Sequence, residues 1–178
     1  MICAPRAAMT SAQIAGLSSA QIAALSSTSV AALGSDDLST FDTADIAALQ
    51  SRSLAGLTTG AFSSLTSSQL VALTSAQITA LSTAVIGSLQ STQLNALTTS
   101  QIATLSSSQI AALSSTALGL LDTAQIRAIS TRGIAALTSQ QISALNTATF
   151  DALTSTQLGA LSSSAIRALT TGAIGTLT

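Results

Sequence analysis

Along this chain a large apolar residue returns at alternating intervals of five and three positions, and the alternation never slips. The resulting period of eight runs from residue 9 to residue 176, as twenty-one copies of a unit approximating L-[ST]-[ST]-x-Q-I-x-A. Counted from its leucine, column one holds Met9, Leu17, Leu25, Leu33 and Phe41, with Ile129 its one β-branched member. Column six holds Ile14, Ile22, Val30, Leu38, Ile46 and onward to Ile166 and Ile174. Register kept over such a length means that each unit packs on its neighbours, because one slip would misplace everything after it. That is the signature of an elongated solenoid, and columns one and six are its core ladder.

The remaining columns divide by what they tolerate. Column eight is mostly small (Ala24, Ala32, Ala48, Ala72), as expected where two backbones come close. Columns four and seven admit Arg52 and Arg132, and Arg127, Arg167 and Asp151, so both are read as facing water. Column two accepts Gly34, Asp42, Gln50, Gln90, Asp122 and Asn146 among its Ser and Thr. That tolerance fits a helix N-cap, which needs a short side-chain acceptor. Column three is Ser or Thr in every copy and never Asp or Asn. Its strictness predicts a tight, partly buried slot for a hydroxyl that both donates and accepts. Column five is Gln in ten copies, among them Gln13, Gln21, Gln69, Gln77, Gln101, Gln109 and Gln157. Ser or Thr at column two with Gln three residues later is the spacing of a capping box. Each octad therefore reads as a new helix start.

Two folds compete for this pattern. The first is an all-α solenoid with one short helix per octad, favoured by its alanine and glutamine content. The apolar pair three residues apart points the same way. The second is a β-solenoid with sixteen-residue coils, but the Gly, Asn, Asp and Pro that turn such coils are scarce at fixed columns. The α-solenoid is the preferred reading. Helices of five or six residues fall far below the roughly 12 needed for stability alone, so stacking must stabilise them. With two octads per coil and helices 8–10 Å apart, the rod would be on the order of 100 Å long. The expected organisation is a non-repeat segment at 1–8 followed by one continuous solenoid over 9–178.

Composition removes several classes of function. Charged residues make up 6% of the chain, as five Arg and six Asp, with no Lys, Glu, His, Tyr or Trp. A net charge of −1 offers no electrostatic footprint for nucleic acid or an anionic membrane. Without an imidazole, and without Lys or Tyr, the many serines have no general base, so no catalytic residue is assigned and no enzyme is expected. The lone Cys3 excludes an internal disulfide. No apolar run suits a secretory signal or a membrane span, so no membrane insertion is expected.

Three minor features stand apart from the repeat's main pattern. Asp36, Asp37, Asp42 and Asp45 form the one acidic cluster. A hard cation such as calcium could use them, but the glycine-punctuated spacing of a calcium loop is missing, so a solvated polar face is preferred and no metal site is assigned. Asp42 with Arg52 and Asp122 with Arg132 recur ten octads apart, while Gln50 and Gln90, and Arg127 and Arg167, lie five octads apart. This faint five-octad superperiod would reflect duplication or superhelical pitch, although chance accounts for it nearly as well. Finally, ladders of Ser and Thr could order ice or recognise a glycan. However, columns two and three mix the two residues freely, as in Ser18-Ser19 and Thr58-Thr59, which spoils a flat methyl-bearing face.

Runs such as Leu73 to Leu81 (LTSAQITAL) and Leu105 to Leu113 (LSSSQIAAL) resemble the LTTAQIxA-type octapeptide arrays of large bacterial surface or secreted proteins. Such proteins are often labelled haem utilisation or adhesion proteins. The resemblance covers nearly the whole chain and implies a stalk, spacer or adhesive scaffold on the cell surface or in the secreted fraction. Haem does not carry over: only Met1, Met9 and Cys3 could offer an axial ligand, so no cofactor is expected. The alternative function is an ice- or glycan-binding module. The expected partners are neighbouring repeats and, through Met9 and Ile14 at one end and Ile174 and Leu177 at the other, a second copy end to end.

Overall fold

A computed structural model describes residues 9–169. Within them every octad forms one short helix, giving twenty helices from α1 (Ser11–Ala15) to α20 (Ser163–Arg167) and no strand. The all-α solenoid is therefore the fold, and the β-solenoid alternative is not supported.

One octad shows why the sequence folds this way. In α13 (Ser107–Ala112), Ser106 is the N-cap with extended backbone (φ −70°, ψ 161°), and its hydroxyl accepts from the Gln109 N–H. Column three is thus the first helical residue and column five the third. The helix ends when Leu113 turns extended (φ −62°, ψ 141°) and its N–H returns to the Ile110 carbonyl at 3.2 Å. Ser114, the next N-cap, is extended as well (φ −66°, ψ 145°). Two consecutive extended residues make the corner. No described residue has positive φ, so the corner needs no glycine, and this explains the scarcity of turn residues at fixed columns.

The stacking differs from the expected two octads per coil. Each helix packs on the helix three octads away: α1 on α4 (Ser35–Ser39), α10 (Thr83–Gly87) on α13, α13 on α16 (Thr131–Ala135), and so on to α17 (Ser139–Ser143) on α20. A coil is three octads, 24 residues, and the solenoid is a three-sided stack. The twenty helices make fewer than seven coils, so the described array is roughly 60 Å long at ordinary helix spacing, shorter than the two-octad coil implied. A three-octad coil also removes superhelical pitch as the source of the five-octad superperiod. Residues 40 apart, such as Arg127 and Arg167, fall on different sides of the stack.

Columns one and six fill the interior, as expected, except toward the ends of the described array, where Met9 and Ile166 are exposed. Ile22, Val30, Leu38, Phe62, Ile78, Ile110 and Phe150 are all buried, and column one follows from Leu33 to Leu137. The expectation for column eight holds in part. A Cβ on Gly56 would sit 2.0 Å from the Ser27 carbonyl oxygen, a close approach that only glycine allows there. Leu120, in the same column, is exposed on the outside of the stack, so the column is not a closed slot throughout. Column four is exposed and so is most of column seven, Arg52, Arg127, Arg132, Asp151 and Arg167 included, while Gly87 and Gly119 of column seven lie half-buried against the next coil.

Candidate functional site

The most organised polar feature of the molecule is the column-five ladder. In Gln109 the side-chain oxygen accepts from the Ser106 N–H at 2.9 Å, which closes the capping box on its own helix. The amide nitrogen then points the other way. It donates to the carbonyls of Ile78 and Leu81, each at 2.9 Å and lying 31 and 28 residues back. Those oxygens belong to the end of α9 (Ser75–Ala80) and the corner after it, one coil below. One side chain thus starts its own helix and clamps the corner beneath.

The arrangement repeats. Gln69 reaches Leu38 and Phe41, Gln77 reaches Ile46 and Leu49, Gln101 reaches Leu70 and Leu73, and Gln157 reaches Ile126 and Ile129, always 31 and 28 residues back. The clamping glutamines are buried, Gln77 to 1% and Gln109 to 2% exposure. A buried amide with every group bonded is stable, whereas a buried orphan costs about 1–3 kcal/mol. Among the described residues no buried side-chain nitrogen or oxygen lacks a partner.

Sequence reasoning found the capping half of this ladder and missed the clamping half. The missed signal was the absence of Glu. A capping box accepts Glu as readily as Gln, since only the side-chain oxygen is used. Eight of the ten column-five glutamines use the amide N–H as well, which a glutamate could not supply.

Column two behaves as expected. Thr10, Ser18, Asp42, Thr74, Asp122, Asn146 and most others accept from the third helical N–H, while Gly34, Gln50 and Gln90 do not. Column three does not behave as expected. Its hydroxyls are mostly exposed, because the first residue of each helix sits on the outer corner and not in a slot. Several still donate across to the next coil: Ser107 Oγ to the Arg132 carbonyl at 3.1 Å, and Ser139 Oγ to that of Ser164 at 3.1 Å. A donor facing a carbonyl gives a reason for Ser and Thr over Asp without burial.

The acidic cluster resolves into separate roles. Asp42 caps α5 (Thr43–Ala48) by accepting from Asp45 N–H at 2.9 Å, and Asp45 accepts from the Asp42 N–H at 3.2 Å. Asp37 accepts from Gly34 N–H at 2.9 Å and from Ser11 Oγ at 2.6 Å, while Asp36 is exposed. Among the described residues no three of His, Cys, Asp and Glu come together to hold a metal ion. Arg127, which the sequence placed facing water, is exposed yet sends its Nε to the Ala152 carbonyl one coil on, at 2.9 Å. No described helix is long and apolar enough to cross a membrane. The end-to-end contact expected through Ile174 and Leu177, and the segment 1–8, including Cys3 and Met1, lie outside the described residues.

The family model described as the ALTTAQ repeat matches the chain over residues 7–35, 46–83, 72–107, 86–122, 110–147 and 121–155. No curated protein matches it. The six segments together span well over half of the sequence. The chain belongs to the ALTTAQ repeat family.

Proposed function

We propose that this array is a non-enzymatic structural and interaction scaffold, a stalk, spacer or adhesive module of a bacterial surface or secreted protein. The observation that carries the reading is the clamp ladder. Its buried glutamines all join one coil to the next, in a spacing that repeats along the array. Such a design fixes length and stiffness. The exposed columns, by contrast, change identity from octad to octad: column four runs Arg52, Gly60, Ser68, Ala76. A scaffold tolerates that drift, and its sparse charge fits a role that depends on shape.

The test replaces the array, within its parent protein, by an unrelated rigid rod of about 60 Å. Retained function, together with protease accessibility of the array on intact cells, is the expected result. Loss of function with the rod displayed normally would show that the octad surface itself recognises something. Freezing hysteresis or selective glycan binding by the isolated chain would then identify the Ser/Thr ladders as that surface.

A further inference from the structure

The seams between coils are not equally clamped. From Gln69 onward, column five alternates glutamines with single substitutions, and two non-glutamines never stand side by side among the described octads. Before it stand five in a row: Ser29, Asp37, Asp45, Ser53 and Ala61. Three of these, Asp37, Asp45 and Ser53, belong to α4, α5 and α6 (Ser51–Leu54), the helices stacked on α1, α2 (Ser19–Ala23) and α3 (Ser27–Ala31). The seam between the first and second coils therefore has no glutamine. Its column-five contact to the main chain is one bond, Ser53 Oγ to the Leu25 carbonyl at 2.5 Å.

Every later seam keeps at least one glutamine reaching two or three carbonyls. Gln69 and Gln77 serve the second seam, Gln93 and Gln101 the third, Gln109 and Gln125 the fourth, Gln141 the fifth and Gln157 the sixth. At the first seam the two aspartates have no N–H to give. They accept instead from the coil below, Asp37 from Ser11 Oγ at 2.6 Å and Asp45 from Ser19 Oγ at 3.4 Å. Asp45 thus leaves the Ile14 and Leu17 carbonyls, 31 and 28 residues back, without the amide that the same register supplies elsewhere. Column-five side chains that are buried from Ser53 onward are half-exposed at Asp37 and Asp45.

We infer that the first seam is a built-in opening point: the coil α1–α3 detaches from the stack as a unit while the rest stays folded. Repeat arrays lose cooperativity where a nearest-neighbour interface is weak, so a clamp-free seam sets the boundary between two folding units. For a scaffold under load, this places the first yield at a defined position.

Hydrogen–deuterium exchange on the full chain tests it. Amides of α1–α3, such as Ile14, Ile22 and Val30, should exchange at least tenfold faster than those of α8 (Ser67–Ala72) to α13, and faster than those of α18 (Thr147–Asp151) to α20 at the other end. Asp45→Gln, which restores an amide in register with Ile14 and Leu17, should slow α1 and α2 by roughly tenfold, the effect of one or two recovered hydrogen bonds. Gln141→Asp should move the boundary, accelerating α16 to α20 and leaving α8 to α13 unchanged. A first coil no faster than the last one, or indifferent to Asp45→Gln, would overturn the inference.

Discussion

The amide nitrogen of Gln109 donates to the main-chain carbonyl of Leu81 at 2.9 Å, across 28 residues of sequence. Without such a bond, the corner carbonyl of one coil would be buried under the next with nothing to satisfy it. Gln109→Ala removes both ends of the clamp and orphans the Leu81 oxygen, while the Ile78 oxygen keeps only its bond from the Leu81 N–H. The expected loss is about 1–3 kcal/mol in urea unfolding, larger than for an exposed cap alone.

Gln109→Glu isolates the donating half. The oxygen that accepts from Ser106 remains, but a carboxylate now faces two carbonyls in a buried position. Its folded-state pKa is raised above the unfolded value of about 4.3. The variant is therefore most stable below that value and loses stability as pH rises through the folded pKa. Unfolding at pH 4 and pH 7 should bracket this, with the deficit against the parent protein larger at pH 7.

Columns two and three separate in a second pair. Ser106→Asp should be neutral or slightly stabilising, because Asp122 already caps a helix in that column. Ser107→Asp should cost about 0.5–1.5 kcal/mol, through loss of its bond to the Arg132 carbonyl and the charge placed against that oxygen. A burial-sized penalty at Ser107 would contradict the exposed corner seen for column three.

Two glycines should respond in opposite directions. A Cβ on Gly119 would lie 2.5 Å from the Ala144 carbonyl oxygen, so Gly119→Ala must push two coils apart and should cost about 1–3 kcal/mol. At Gly60 a Cβ meets nothing within 4 Å, and the residue lies inside α7 (Thr59–Ser63). Gly60→Ala should stabilise by about 0.5–1 kcal/mol. Thermal unfolding of the two variants checks both.

What could be read from the sequence was whatever acts within one octad. The cap at Ser106, the box closed by Gln109, and the return bond from Leu113 to Ile110 span three residues each, so column spacing reveals them directly. The burial of column six followed from its unbroken apolar character. The number of octads per coil depends instead on which helix lies beneath which, and an eight-residue repeat is compatible with two or three. The strictness of column three suggests burial, because sequence alone does not distinguish a hydroxyl enclosed in a slot from one aimed across a corner at Arg132. The clamping half of column five was hidden for the same reason: its partners lie 28 and 31 residues away.

The central claim is the three-octad coil, and spin labels on the outer column four test it directly. With Cys3 replaced by serine, nitroxides at Ser108 and Arg132, one coil apart, should lie about 10 Å from each other and broaden each other's spectra strongly. Labels at Ser108 and Ala124, two octads apart and on different sides of the stack, should broaden far less. Strong coupling for Ser108 with Ala124 and little for Ser108 with Arg132 would mean a sixteen-residue coil, and the clamp register described here would be wrong.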